Sequence, residues 1–165
     1  MDPLALPSRQ SAITLQDITA RNWESITRLV VNRDQLSLVV PNIQSLCEHQ
    51  FHAPHSLVRA IVADTTAPVG YIRLQQDPEE PGQGVFQLLS FMIDQACQGL
   101  GFGTEAMLLL QKEMVNVPGF KGIRVPTKAF AGVHPDDSPE HFFAGLGFEK
   151  SKDPQVQELT WSPNP

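Results

Sequence analysis

The stretch that most constrains the fold runs from Phe91 to Met114, FMIDQACQGLGFGTEAMLLLQKEM. An apolar run closes on Asp94, glycines alternate at 99, 101 and 103, and a Leu/Met-rich segment begins at once. A strand therefore hands over to a helix through a turn that can take positive φ. The first N–H groups of such a helix have no partner within it, and the helix dipole adds partial positive charge among them. An anion fits there: side-chain-free residues let a phosphate approach several peptide nitrogens, and Gln98 can add a side-chain donor. A plain turn needs only one or two glycines. Two other phosphate loops are disfavoured, because Thr104-Glu105 stands where a P-loop has its lysine. The dinucleotide fingerprint in turn wants its third glycine one position later and an acid about twenty residues on.

The rest of the chain must bury a core around this unit. With 165 residues, 41% of them hydrophobic, one domain is expected over residues 11–165, after a disordered lead-in at 1–10 that carries Pro3 and Pro7. The formal net charge of -6 and the scattering of twelve basic residues argue against a nucleic-acid partner. Cys47 and Cys97 show no metal-ligand spacing, so no metal site and no disulfide framework is expected. No apolar run has the roughly 18 to 20 residues of a membrane helix. These features predict a soluble, cytoplasmic protein with no membrane partner.

Periodicity orders the elements. SAITLQDI reads as a first strand, and ARNWESITRLVV as a helix with Asn22 as N-cap and Trp23, Ile26, Leu29 and Val30 inward. A second helix follows Pro41, with Asn42 as its cap and Ile43, Leu46, Cys47 and Phe51 on its apolar face. LVRAIVAD, APVGYIRLQQ and VFQLLSFMID make a strand meander. The glycine-led helix runs from Gly103 to about Asn116 with Ala106, Leu109, Leu110 and Met114 inward, and KGIRV is a strand ending near Pro126. SPEHFFAGLG is a helix with Ser138 as N-cap and Pro139 at its first position, and VQELTW is a last strand. The class is mixed α/β.

MIDQACQGLGFGTEAMLLL resembles the acetyl-CoA signature of the GNAT superfamily of N-acetyltransferases, Gln/Arg-x-x-Gly-x-Gly/Ala, with Gln98, Gly101 and Gly103 at its fixed positions. The element order agrees from about Ile13 to Phe148. DQLSLVVPNIQSL, LLSFMID and LGFE are similar to segments of the spermine/spermidine (diamine) acetyltransferase-like subgroup. The resemblance implies a mostly antiparallel sheet of six to seven strands flanked by about four helices and splayed between the fourth and fifth strands. It implies direct transfer of an acetyl group from acetyl-CoA to the amine of a small, polyamine- or amino-acid-like molecule, and it allows a homodimer. Phe91, Met92 and Ile93 would bind the pantetheine arm, and Gln98, Gly99, Leu100, Gly101, Phe102, Gly103 and Thr104 the pyrophosphate. A backbone N–H near Met92 and Ile93 would stabilise the oxyanion.

The sequence departs from the family where protons move. Phe143 aligns with the tyrosine that usually protonates the leaving thiolate, and Ser90 with the subgroup's arginine. His134 and Asp136, in a lengthened loop, are the candidates for taking the amine's proton. Asn42 and Ser45 are the candidates for amine recognition. The alternatives are a catalytically impaired protein of this fold that binds CoA or a partner, and an acyltransferase with a changed donor or acceptor.

Overall fold

The computed structural model describes residues 6–64, 66–128, 133 and 138–163. Seven strands form one sheet, β1 (Ile13–Gln16), β2 (Ser56–Ala63), β3 (Ala67–Gln76), β4 (Val85–Ile93), β5 (Gly122–Pro126), β6 (Glu149–Lys150) and β7 (Glu158–Trp161). Their spatial order is β1-β2-β3-β4-β5-β7-β6, and the pair β4–β5 is parallel whereas every other pair is antiparallel. Among the described residues four α-helices accompany the sheet: α1 (Trp23–Thr27), α2 (Asn42–His52), α3 (Phe102–Val115) and α4 (Glu140–Ala144). This is the mixed α/β class that the element order predicts, with the splay that the resemblance implies.

The sheet has two covered faces. On one, α3 and α4 send Phe102, Ala106, Met107, Leu110, Met114, Phe143 and Leu146 against Ile61, Val69, Ile72, Leu74, Phe86 and Leu88. This is the larger core, and each side chain fully buried in it is worth about 1.5–3 kcal/mol. On the other face, α1 and α2 cover Ala60, Val62, Tyr71 and Met92 with Ile26 and half-buried Leu46.

The α1 and α2 expectations need correction. Helix α1 is one turn and a half long, so only Ile26 of its expected face is buried, and Trp23 and Val30 are exposed. Asn22 holds the cap position, but its side chain accepts from the Thr19 N–H (2.7 Å) and donates to the Asp17 carbonyl (2.9 Å), outside the helix. In α2 the cap is Pro41, and Asn42 and Ser45 point inward while Ile43 and Phe51 face solvent. The inward face is polar because the sheet beneath it offers Tyr71 and Arg73.

Strand β4 carries a bulge. Arg73 opposes Ser90 and Leu74 opposes Leu88, so Leu89 is a supernumerary residue in the ladder. Phe86 and Leu88 pack on the α3 and α4 side before it, and Phe91 and Ile93 do so after it, with Met92 on the other face.

Candidate functional site

A cleft opens where β4 and β5 part. Their parallel pairing holds only from Val85–Gly122 to Gln87–Arg124, and β4 then continues to Ile93 while β5 turns to pair with β7. Past Gln87, alternate peptide N–H and C=O groups of β4 therefore face a gap with no strand among the described residues to take them. The closed end is pinned by Arg124, which reaches Asp77 (2.7 Å), Glu80 (3.1 Å) and Glu158 (3.6 Å). The resulting cleft has a volume of about 690 Å³ and follows β4 from Leu88 to Ile93 up to the glycine loop.

The glycine loop closes the other end. Asp94 accepts from the Ala96 N–H (3.0 Å) and caps the turn at 95–97, and the chain then reaches Gly99 at φ 75° and Gly101 at φ 92°. These values call for glycine. A Cβ placed at either residue would meet nothing within 4 Å, so the space above both is open. Gly103 differs from expectation: it sits inside α3 without positive φ, and a Cβ there would lie in ordinary contact with Phe142 (3.5 Å) and Ile93 (3.6 Å). The first intrahelical bond runs from the Glu105 N–H to the Gly101 carbonyl (3.2 Å), which leaves the N–H groups of Phe102, Gly103 and Thr104 without helical partners.

Gln98 is tied down. Its amide donates to Gln35 Oε1 (2.7 Å) and to the Ile93 carbonyl (3.0 Å) and accepts from Asn32 Nδ2 (2.8 Å). Both amide hydrogens are thus spent on protein, and the side chain fastens the end of β4 to the segment between α1 and α2. Asp94 strengthens that link by accepting from the Val30 N–H (2.9 Å). Sequence reasoning missed Arg9, whose guanidinium donates to the Gly99 carbonyl (3.0 Å) from the lead-in. Spacing in the sequence carries no signal for a contact ninety residues apart.

Of the residues predicted to bind the cofactor, Phe91, Met92, Ile93, Gln98, Gly99, Gly101, Phe102, Gly103 and Thr104 line the cleft, whereas Leu100 packs against the core. Asn42 and Ser45 do not line it. Buried Asn42 donates to the Ile26 carbonyl (2.9 Å) and contacts Met92 Sδ (3.7 Å), and fully buried Ser45 accepts from Tyr71 Oη (3.0 Å). Burial pushes the Tyr71 phenol up despite the Ser45 bond. Next to them Arg73, only 2% exposed, binds Glu48 (2.6 Å), Gln75 (2.9 Å) and Ser56 (3.4 Å). Ser90 Oγ, on the residue opposite Arg73, and His49 Nδ1 are buried without a hydrogen-bond partner among the described residues.

The proton-handling residues divide. His134 and Asp136 lie outside the described residues. Phe143 lines the cleft, 4% exposed, with its ring edge-to-face on Phe142 (5.2 Å) and Phe148 (5.2 Å). It has no proton to give. Cys97 also lines the cleft, but burial and then Asp94 push its thiol up, so it remains a thiol rather than a nucleophile. Among the described residues no cluster of His, Cys, Asp or Glu could hold a metal ion.

This geometry has known counterparts. The model of the Acetyltransferase (GNAT) family matches residues 19–148. Among solved structures, an acetyltransferase from Thermus thermophilus is 18% identical, with 92% of this chain and 96% of that one covered at a TM-score of 0.64. The spermidine N-acetyltransferase from Vibrio cholerae, in complex with CoA and spermine, is 14% identical over 91% and 95% of the two chains, TM-score 0.65. A chain of the KacTA–DNA complex is 22% identical over 92% and 93%, TM-score 0.63. At these identities the likeness is one of fold. No curated protein matches the chain.

Proposed function

From the premise that this chain belongs to the Acetyltransferase (GNAT) family, we propose that it is an acetyl-CoA-dependent N-acetyltransferase acting on the amine of a small molecule. The observation that carries the reading is the meeting of an unpaired strand edge with an open loop at Gly99 and Gly101, in one cleft. A pantetheine arm can pair with the edge at Phe91, Met92 and Ile93 as a further strand would. A pyrophosphate can lie on the peptide nitrogens of the loop and of Phe102 to Thr104. When bound, the thioester supplies an acyl carbon open to attack. An amine nitrogen forms the new N–C bond, the C–S electrons pass to sulfur, one proton leaves the amine and one restores the thiol.

The chain's own contribution is to align, to exclude water and to move those protons. A β4 peptide N–H near Met92 and Ile93 serves the developing oxyanion. His134 and Asp136 are assigned the amine's proton. Asn42 and Ser45 serve the acceptor side from behind, by holding α2 on the sheet. The protein is taken to work as one domain over residues 11–165, in the cytoplasm, as a monomer or homodimer, without a nucleic-acid or membrane partner. Its net charge of -6 and the lack of any helix, among the described residues, long and apolar enough to cross a membrane support that view.

Calorimetry with acetyl-CoA and a thiol-release assay over a panel of amines test the reading. Saturable binding together with amine-dependent thiol release is the expected result. A second reading, a CoA-binding protein without turnover, is favoured by the aromatic setting of Phe143. Binding without release for any acceptor would decide for it.

A further inference from the structure

We propose that the side chain of Gln98 is a positioning residue for the pantetheine arm of the donor and takes no part in holding the diphosphate. The proposal rests on the acetyltransferase reading and deepens it, because a glutamine at the head of the glycine loop suggests a donor to phosphate. A diphosphate oxygen accepts hydrogen bonds and gives none, so a side chain that holds it needs a free N–H. The Gln98 amide has both of its hydrogens in use, on Gln35 Oε1 (2.7 Å) and on the Ile93 carbonyl (3.0 Å). Its oxygen accepts from Asn32 Nδ2 (2.8 Å).

These partners lie along the part of the cleft given to the arm. Ile93 C=O and Asp94 N–H belong to one planar peptide unit and point opposite ways. The Asp94 N–H bonds to the Val69 carbonyl of β3 (2.8 Å), so the Ile93 carbonyl faces the gap on the other side of β4. The Gln98 amide therefore closes the open edge of β4 at its last carbonyl. An arm pairing with that edge ends there.

Asn32 and Gln35 belong to the segment between α1 and α2. Its turns are made by the Gln35 N–H on the Asn32 carbonyl (2.9 Å) and the Leu38 N–H on the Gln35 carbonyl (2.9 Å). Holding Gln35 thus holds Leu38, which lines the cleft beside Val39. Upstream, the Val30 N–H donates to Asp94 (2.9 Å) and the Val30 carbonyl accepts from the Gln95 N–H (2.8 Å). That tie secures the exit from α1, and the Gln98 amide secures the turns beyond it. Leu38 and Val39 then stand ready as an apolar wall for the arm's methylenes, and the arm has no segment to order when it binds. Without the latch, that ordering is drawn from the arm's own binding. A diphosphate on the peptide nitrogens from Gly99 to Thr104 does not feel the loss.

Calorimetry on wild type, Gln98→Met, Gln35→Leu and the double variant tests this, with acetyl-CoA and with 3′-phospho-ADP, the nucleotide half of coenzyme A. Both side chains are half-buried at the surface, so the core is spared. Each single variant is expected to weaken acetyl-CoA about tenfold, the net worth of one or two hydrogen bonds, and to leave 3′-phospho-ADP within about twofold of wild type. The double variant is expected to match the singles, because a latch broken at one end is already open. A merely misshapen loop would weaken both ligands together. Equal losses on both ligands in Gln98→Met, additive losses in the double variant, or an unchanged affinity for acetyl-CoA overturn the proposal and leave the acetyltransferase intact. Wild type that binds acetyl-CoA but not its nucleotide half overturns it as well. Should Gln98→Met not fold, Gln35→Leu, which leaves the glycine loop untouched, carries the same comparison of the two ligands. Wild type that fails to bind acetyl-CoA overturns the acetyltransferase reading, and this inference with it.

Discussion

At the residue scale, two side chains decide how the cleft meets its charges. Arg9 is a cation that touches the glycine loop, through the Gly99 carbonyl at 3.0 Å. An exposed guanidinium beside a diphosphate adds a modest attraction, of order 1 kcal/mol or less after screening. Arg9→Ala is expected to raise KM for acetyl-CoA about three- to fivefold and to leave KM for acetyl-pantetheine, which has no phosphates, unchanged. Equal effects on both donors would show that Arg9 only shapes the loop. Phe143→Tyr adds the missing hydroxyl at the cleft wall, at a packing cost of roughly 1–3 kcal/mol. If reprotonation of sulfur limits turnover, the thiol-release rate rises several-fold; an unchanged rate means the thiolate leaves without a protein acid.

At the element scale, α2 is the least ordinary helix. Its inner face carries Asn42, Ser45 and His49 over Tyr71 and Arg73, and its apolar residues Ile43 and Phe51 lie outside. Burial, and then the nearby Arg73 charge, push the His49 imidazole below its ordinary 6.5. The unfolded chain therefore takes up that proton first as pH falls. Its contribution is fully present above about 6.5 and is lost as pH drops through the depressed value. The unfolding free energy measured in urea should fall between pH 7 and pH 5, and less steeply in His49→Leu. A parallel slope in the variant would remove His49 from the account.

The same helix shows where sequence reading stops. Strands β2, β3 and β4 and helix α3 are legible because their apolar residues recur with the period of the element. The glycine loop is legible because two of its residues need φ that other side chains resist. Helix α2 is expected in the right place but turned the wrong way, since its inward polar residues are chosen by Tyr71 and Arg73, partners that only the tertiary fold supplies. Helix α1 is expected to be longer than it is for a related reason: apolar Leu29, Val30 and Val31 continue its pattern, but the backbone there leaves the helix, and Val30 exchanges hydrogen bonds with Asp94 and Gln95. The roles of Gln98 and Arg9 are long-range contacts and leave no local trace.

At the scale of the whole molecule, the cleft joins two halves of one sheet. The half from β1 to β4 and the half made by β5, β7 and β6 are joined in the sheet by the short parallel pairing, with the Arg124 cluster at its end and a shared core beneath. A ligand that bridges them binds the native state alone and stabilises it by mass action. At a hundredfold excess over Kd, acetyl-CoA should add about 2.7 kcal/mol, a rise in Tm of roughly 5–10 °C in a chain of this size. Thermal denaturation with and without the thioester checks this, and an absent shift would mean that the cleft takes some other molecule.

Leu89, finally, sets the phase of that sheet. Because it is one unit surplus to the ladder, the parity of β4 inverts midway, and even-numbered side chains that began under α3 and α4 finish on the opposite layer. Excise it and the code reverses downstream: Met92 would be thrust among the phenylalanines and Phe91 beneath α2. Truncation to alanine keeps the count and should leave a soluble protein, whereas removing the residue outright should not, for what matters at this place is the arithmetic of the backbone and not the hydrocarbon it carries.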